Sequence, residues 1–303
     1  MSAQPSTQSR SVSPSSGPAS PASRTWSSTT GRPPSTGAVV RTTVLIAGAL
    51  AVVAPVVWAA LASFKTQSEL AQTPPTLWPH QPTLDNYTTG LKAFDFTHYL
   101  TNSLIVTVSA TALTLVINSM AAYGLSKYNF RGRTVLFLIT LSTIMIPLQV
   151  ILLPVYQIVS SLGMTNSLLG LIIPPAATPT GVFLLRQYML TLPDEMIEAA
   201  RIDGAGEWGI FWRIILPLSR PALAVVAIFS VIWRWNDFLW PLIVAQDESK
   251  QTLPVAIARF ASQQAIPFNQ ILAVSVVTII PVVIIFLILQ RQIIAGLAQG
   301  AIK

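Results

Sequence analysis

The sequence has no cysteine, two histidines and very little charge. Without cysteine there is no disulfide framework, no thiolate metal site and no sulfur nucleophile, and the redox compartment goes unmarked. His80 and His98 leave little scope for a histidine-based metal or acid–base centre. Charged residues are 10% of the 303 and hydrophobic ones 52%, whereas a soluble domain carries roughly 25% charge. With a mean hydropathy of +0.60, the composition is that of an all-α polytopic membrane protein. The net charge of +7 would suit nucleic acid only if it formed a folded basic patch. The excess lies at the ends of apolar runs instead, so no nucleic-acid partner is expected.

Residues 1–38 are Ser, Thr, Pro and Gly with scattered Arg10, Arg24 and Arg32, too poor in apolar groups to offset the entropy of ordering a chain. A disordered cytoplasmic tail is expected there, followed by one transmembrane domain over 39–303. A bilayer core about 30 Å thick needs about 20 apolar residues of helix. Six stretches qualify, at about 43–64, 100–125, 135–159, 166–188, 221–244 and 271–293. The first is too long and too far from the start for an ordinary cleaved signal peptide and is read as a retained span.

Lysine and arginine collect on the cytoplasmic side of membrane proteins. One side holds Arg10, Arg24, Arg32, Arg41, Lys127, Arg131, Arg133, Arg186, Arg201, Arg213, Arg220, Arg291 and Lys303; the other holds Lys65, Lys92, Lys250 and Arg259. Thirteen against four places both termini in the cytoplasm. The longer external segments, about 65–99 and 245–270, carry Pro75, Trp78, Asn86, Pro254 and Pro267 and read as folded caps.

Span three contains Pro147 and Pro154, and span four Pro174, Pro175 and Pro179. An interior proline removes a backbone hydrogen bond and clashes with the preceding turn. A bilayer tolerates such backbone where protein or a water-filled cavity satisfies it. A transport pathway and a merely kinked bundle both meet that condition. Span five reads AIFSVIWRWNDFLWPLIVA, and Arg234 sits about 18 Å in from Ala222, near the midplane, where an unpaired ion costs several kcal/mol. Asp237, three residues on, is its expected partner. In one reading Arg234, Asn236 and Asp237 face a polar cavity, with Trp233, Trp235 and Trp240 as stacking surfaces for a sugar ring. In the other they are a structural ion pair within an interfacial aromatic belt. Asn102, Asn118 and Gln149 are weaker cavity candidates, because amides also bridge packed helices.

The densest charge in the chain lies at 198–221, EAARIDGAGEWGIFWRIILPLSRP. Thr191 and Asp194 have capping-box spacing and open a short helix expected at about 192–203. Gly204 and Gly206 permit a turn. Trp208, Phe211, Trp212 and Ile215 then recur at helical spacing on one face, until Pro217 and Pro221 lead into span five. A helix resting among lipid headgroups explains Trp208 and Phe211. It does not explain Glu198, Asp203 and Glu207, which gain nothing from an anionic leaflet. A protein surface is the better partner for the loop, 191–220, through helix-in-groove docking.

EAA, then three residues, then Gly204, then nine residues and IILP resembles the loop signature of permease subunits of binding-protein-dependent ABC importers, and the whole run is similar to their carbohydrate branch, the maltose-type second permease family. PTLDNY (82–87), NSLIVT (102–107), AAYGLSKYNFRGR (121–133), WNDFLWPL (235–242), TLPVAI (252–257) and GLAQGAIK (296–303) extend the resemblance over about 43–303.

The resemblance implies a type I importer transmembrane domain with a cytoplasmic helix-turn-helix coupling loop. In that loop Glu198, Ala199, Ala200, Asp203, Gly204, Trp208, Phe211, Leu216 and Pro217 would meet a cleft of the ATPase subunit. It implies a heterodimer with a second permease, two ABC ATPase subunits and an extracytoplasmic solute-binding protein, and a terminal tail, Gly296, Gly300 and Lys303, reaching toward the ATPase. Because the sequence has no G-x-x-x-x-G-K-[ST] loop, ATP and Mg are expected to belong to that partner, with no cofactor, metal or catalytic residue in this chain. In the first of the two readings of span five, Trp233, Arg234, Asn236 and Asp237 line the substrate pathway; in the second they never touch a ligand. A carbohydrate is the expected cargo, with a glycerol phosphate-like or other polar solute as the alternative. A self-contained secondary transporter or channel finds no support in a carboxylate-rich midplane, and a membrane hydrolase has no paired nucleophile and base.

Overall fold

Backbone amides in a bilayer find no water, so an apolar chain must satisfy them internally, and every regular element among the described residues is helical. The computed structural model describes residues 36–263 and 266–301. Residues 1–35, most of the expected tail, and Lys303 lie outside the described residues.

The chain divides after Val52 into two units. The first ends within α1 (Thr36–Ala62), which begins ahead of the expected residue 43 and runs through Pro55. Its stretch Val40–Ala62 is long and apolar enough to cross a bilayer. The second unit continues through α2 (Gln67–Leu70) and α3 (Asp85–Phe94) into α4 (Phe96–Lys127). The segment between α1 and α4 is folded, as expected of a cap. Asn86 Nδ2 donates to the carbonyls of Ser63 and Lys65 at 2.7 and 2.8 Å, and Asn269 Nδ2 donates to Asn86 Oδ1 at 2.6 Å. Glu69 Oε1 accepts from Thr76 Oγ1 and the His80 amide at 3.2 and 2.9 Å.

At the centre of the unit, α4 packs against helices of spans four and five. Its buried face is small and polar, with Ser103, Thr107, Ala110, Thr111, Thr114 and Asn118 among its residues. Small side chains let neighbouring backbones approach where hydrophobicity supplies no drive.

Span three is not a single helix. It consists of α5 (Arg133–Ser142) and α6 (Leu148–Ser161), bent by 106°. Pro147 disfavours the helical region for the residue before it, and Ile146 is extended at ψ 118°. Span four is α7 (Leu168–Ile172), a tighter turn Pro174–Ala176 and α8 (Pro179–Met189), bent by 45°.

The loop helices are α9 (Glu195–Ile202), α10 (Glu207–Ile210) and α11 (Leu216–Leu218). Then comes α12 (Arg220–Asn236), which stops short of the expected residue 244: Asp237 leaves the helix at ψ 123°, and α13 (Leu239–Val244) starts anew. The chain continues through α14 (Leu253–Ser262) into α15 (Phe268–Ala301). The last helix contains span six, packs against α3 and α12, and carries Gly296 and Gly300 as helical backbone.

Candidate functional site

The loop between spans four and five is short helices glued to the span ends by one face. Ile197, Ala200, Ile210, Phe211 and Ile215 are buried in a cluster with Ala122 and Tyr123 of α4, Leu185 and Met189 of α8 and Val226 of α12. Burying one large apolar side chain is worth about 1.5–3 kcal/mol, so the loop is fixed to three spans at once. Its other face is open: Glu198, Ala199, Asp203, Gly204 and Ala205 are exposed, and Ile202 is 86% exposed.

Three details depart from the sequence reading. No capping box forms: Thr191 Oγ1 donates to the Tyr188 carbonyl at 2.7 Å, and the Asp194 carboxylate goes to Lys127 rather than to the start of α9. Of the two glycines only Gly204 has a left-handed backbone, at φ 81°, while Gly206 is extended at φ −70°. Nor do the four aromatic and aliphatic positions share a face. Phe211 is 3% exposed and Trp208 65%. The face that meets the spans centres on Ile210, Phe211 and Ile215, while Trp208 and Trp212 stay out. A wider turn follows over Phe211–Ile215, in which the Leu216 amide reaches back five residues to the Phe211 carbonyl, ahead of Pro217, which has no N–H to continue the ordinary ladder to Arg213. Leu216 and Pro217 are half-buried at the bend into α12.

Two polar ties hold this loop to the end of α4, and the sequence reading missed both. Lys127 Nζ donates to the Leu192 carbonyl and to Asp194 Oδ1, each at 2.6 Å. Across the turn, Arg201 Nε donates to Glu207 Oε1 at 2.8 Å and Nη2 to Oε2 at 3.3 Å. The same carboxylate accepts from the hydroxyls of Tyr128 and, at 3.4 Å, Tyr123. The hydrogen bonds from Arg201 hold the Glu207 carboxyl below the usual glutamate range and, reciprocally, raise Arg201. Partial burial, and then the bond to Glu207, push the Tyr128 hydroxyl up. Beside this knot is a recess of about 260 Å³ between Met120, Tyr123 and Tyr128 on one side and Glu207, Trp208 and Phe211 on the other. The i, i+6 spacing of Arg201 and Glu207 around a glycine turn was the available signal.

Span five lacks the ion pair expected from its sequence. Arg234 and Asp237 form no ion pair; the only two among the described residues are Lys127–Asp194 and Arg201–Glu207. Arg234 Nη2 donates instead to the Pro175 carbonyl and, at 3.2 Å, to Thr114 Oγ1, while its Nε is buried without a partner. Asp237 lies beyond the helix end, where Oδ1 accepts from the Trp240 amide at 3.4 Å. Asn236 is exposed, with Nδ2 on the Ile232 carbonyl of its own helix at 2.8 Å, and Trp233 is 70% exposed. Trp235 and Trp240 are not stacking surfaces: both are buried, and Trp240 Nε1 donates to the Gly170 carbonyl at 3.0 Å. Asn102 and Asn118 bridge helices, Asn102 to the carbonyls of Ser249 and Gln251 at 3.0 Å and Asn118 to Thr178. Gln149 is exposed.

Broken apolar helices around a small-residue core, with a two-helix loop fixed across the ends of three spans, define a transport permease. The chain belongs to the family of binding-protein-dependent transport system inner membrane components, which it matches over residues 114–299, and is an ABC importer permease subunit. It is 40% identical over 246 residues to the arabinooligosaccharides transport system permease protein AraQ of Halalkalibacterium halodurans, covering 80% of this chain and 88% of that one. To the diacetylchitobiose uptake system permease protein NgcG of Streptomyces coelicolor it is 33% identical, covering 88% and 89%. To the sn-glycerol-3-phosphate transport system permease protein UgpE of Yersinia enterocolitica it is 34% identical, covering 84% and 94%. Among solved structures it resembles a chain of a bacterial ABC transporter involved in import of the acidic polysaccharide alginate, with TM-score 0.77, 25% identity and coverage of 84% and 95%.

Proposed function

We propose that this chain forms half of the translocation pathway for a carbohydrate and is driven through its 191–220 loop by a separate ATPase subunit. The observation that carries the proposal is the two-faced loop: Ile197, Phe211 and Ile215 are fixed on three spans, while Glu198, Ala199, Asp203 and Gly204 face outward. A partner seated on the open face moves spans two, four and five together. Glu198 offers it a carboxylate, Ala199 permits close approach, and Ile202 and Trp208 supply apolar area.

The assembly that follows is a heterodimer with a second permease, two ABC ATPase subunits that bind ATP and Mg, and an extracytoplasmic solute-binding protein. This chain supplies no phosphate loop and holds no cofactor. The thirteen-to-four distribution of lysine and arginine supports cytoplasmic termini, with Gly296, Gly300 and Lys303 directed toward the ATPase interface. Exposed Trp233 and Asn236 and half-buried Asp237, at a helix break, give the pathway a polar opening in an apolar wall. The relatives named for arabinooligosaccharides and diacetylchitobiose support a sugar as cargo. The relative named for sn-glycerol-3-phosphate supports the second reading, a phosphorylated polyol.

The test is co-purification and uptake in a strain expressing the complete importer. Glu198→Lys should release the ATPase subunit while the permease remains inserted, and uptake should fall by about 5–150-fold, as for other couplings of about 1–3 kcal/mol. Retained ATPase and normal uptake would sink the coupling assignment. Competition between an arabino-oligosaccharide and sn-glycerol 3-phosphate then decides the cargo class.

A further inference from the structure

The backbone break of span four carries two polar groups that its own helix cannot satisfy. Between the turn Pro174–Ala176 and α8, Ala177 and Thr178 are extended, at ψ 117° and 121°. The Pro175 carbonyl would ordinarily accept from residue 179 or, in a tighter turn, from residue 178. Residue 179 is proline and has no N–H. The Thr178 amide is turned away to Asn118 Oδ1, at 3.1 Å. The carbonyl is left without a backbone donor, and Arg234 Nη2 supplies one from span five.

Asn118 closes the other half. Its Oδ1 takes the Thr178 amide, and its Nδ2 donates to Thr178 Oγ1 at 2.6 Å; the residue is fully buried. Room for that amide exists because residue 181 is glycine: a Cβ there would stand 2.2 Å from Asn118 Nδ2 and 2.6 Å from Thr178 Oγ1. Thr114, one helical turn before Asn118 on α4, gives Arg234 its second acceptor at 3.2 Å. Spans two, four and five are thus tied at one non-helical segment by side chains from α4 and α12.

We propose that Arg234 is a positioning residue that, with Asn118, holds the 174–179 break of span four in its bent form, and that it is not a ligand of the transported solute. The proposal rests on the permease reading above but concerns the shape of the pathway wall. An arginine fits because its long side chain brings the two N–H donors of one nitrogen, Nη2, to a carbonyl and a hydroxyl together while staying charged. In a membrane interior an unpaired carbonyl has no water to turn to, so without Arg234 the break must change its shape to find a donor.

This chain has no cysteine of its own, so, with partner subunits made cysteine-free, a spin-label test reports on span four alone. Leu169→Cys and Leu190→Cys, both at exposed positions on either side of the break, carry nitroxides in the complete importer, reconstituted in liposomes. In the parent protein the inter-label distance distribution should be narrow. Arg234→Met should shift or broaden it, and Arg234→Lys, which keeps a donor, should restore most of the parent distribution. Gly181→Ala, which expels Asn118 without touching charge, should reproduce the Arg234→Met result and covers the case in which Arg234→Met does not assemble. Uptake of a labelled arabino-oligosaccharide by the same proteoliposomes gives the second readout: for Arg234→Met, a maximal rate lower by about tenfold with unchanged KM. Unchanged distance distributions in Arg234→Met, or in Gly181→Ala where Arg234→Met does not assemble, overturn the proposal, as does a raised KM at an unchanged maximal rate. Failure of the parent importer to take up the sugar would count against the cargo assignment alone, because the distance measurement needs no solute.

Discussion

Lys127 Nζ is shared between the Leu192 carbonyl and Asp194 Oδ1, each at 2.6 Å, and its side chain is 3% exposed whereas that of Asp194 is 74% exposed. The two bonds are unequal in consequence. Replacing the exposed carboxylate by an amide keeps an acceptor beside the buried ammonium and removes only a charge that solvent already screens. Losing the lysine strips a carbonyl of its donor, at a cost of about 1–3 kcal/mol. Asp194→Asn should therefore leave the thermal midpoint of the purified permease close to the parent value, while Lys127→Met should lower it. Lys127→Met should also loosen the start of the loop, read as faster amide exchange over residues 192–200.

Gly170 is packed where no side chain fits. A Cβ there would stand 2.2 Å from the Met164 carbonyl oxygen and 3.0 Å from Val244 Cγ1, and its own carbonyl accepts from Trp240 Nε1. The obstacle is backbone, which cannot rotate aside as a side chain can. Gly170→Ala should cost about 1–3 kcal/mol, the range for overpacking a filled site, and appear as a lower unfolding midpoint and less assembled importer. An unchanged midpoint would mean that the backbone at Met164 gives way freely.

How much of this was legible in the sequence depends on whether the controlling interaction was local. The loop's division around Gly204 and the break at Pro147 are properties of residues near one another, and a linear reading finds them. Arg234 is the contrary case. Its nearest acid in sequence, Asp237, sits beyond the helix end, because the helix stops at Asn236; its acceptors come from residues 114 and 175. Periodicity assumes that the helix continues and therefore assigned the wrong partner. A signal was present all the same, since a proline at 179 withdraws the donor for a carbonyl four residues earlier. Trp208 and Phe211 failed for a different reason: the buried face centres on Ile210, Phe211 and Ile215, and periodicity alone does not say which edge of an apolar stripe meets the core.

Gly204 and Gly206 give a controlled comparison within one turn. Neither would meet any atom within 4 Å on gaining a Cβ, so space does not separate them. Backbone does: Gly204 is at φ 81° and Gly206 at φ −70°. A non-glycine residue in the left-handed region costs roughly 1–2 kcal/mol. Gly204→Ala should weaken coupling, seen as less uptake per ATP hydrolysed, and Gly206→Ala should not. Equal effects at both positions would mean that contact with the partner, rather than the turn, sets the requirement for glycine.

The Arg201–Glu207 tie makes the loop sensitive to acid in one direction. Hydrogen bonds from Arg201, then from Tyr128, lower the Glu207 carboxyl below its ordinary value of 4.5. A carboxylate depressed in the folded state contributes stability above its unfolded pKa and loses it as pH falls through the folded one. The contribution is therefore intact at pH 7, begins to decline near pH 4.5 and is lost only as the pH falls through the lower folded-state value. Because both side chains are nearly half exposed, solvent screening keeps it below about 1 kcal/mol. Glu207→Gln should lower the thermal midpoint slightly at pH 7, and the difference from the parent protein should shrink progressively as the pH is taken below 4.5. A difference that stayed constant through that acid range would assign the effect to the geometry of the Tyr123 and Tyr128 hydrogen bonds, which a protonated carboxyl and an amide can both still accept, rather than to charge.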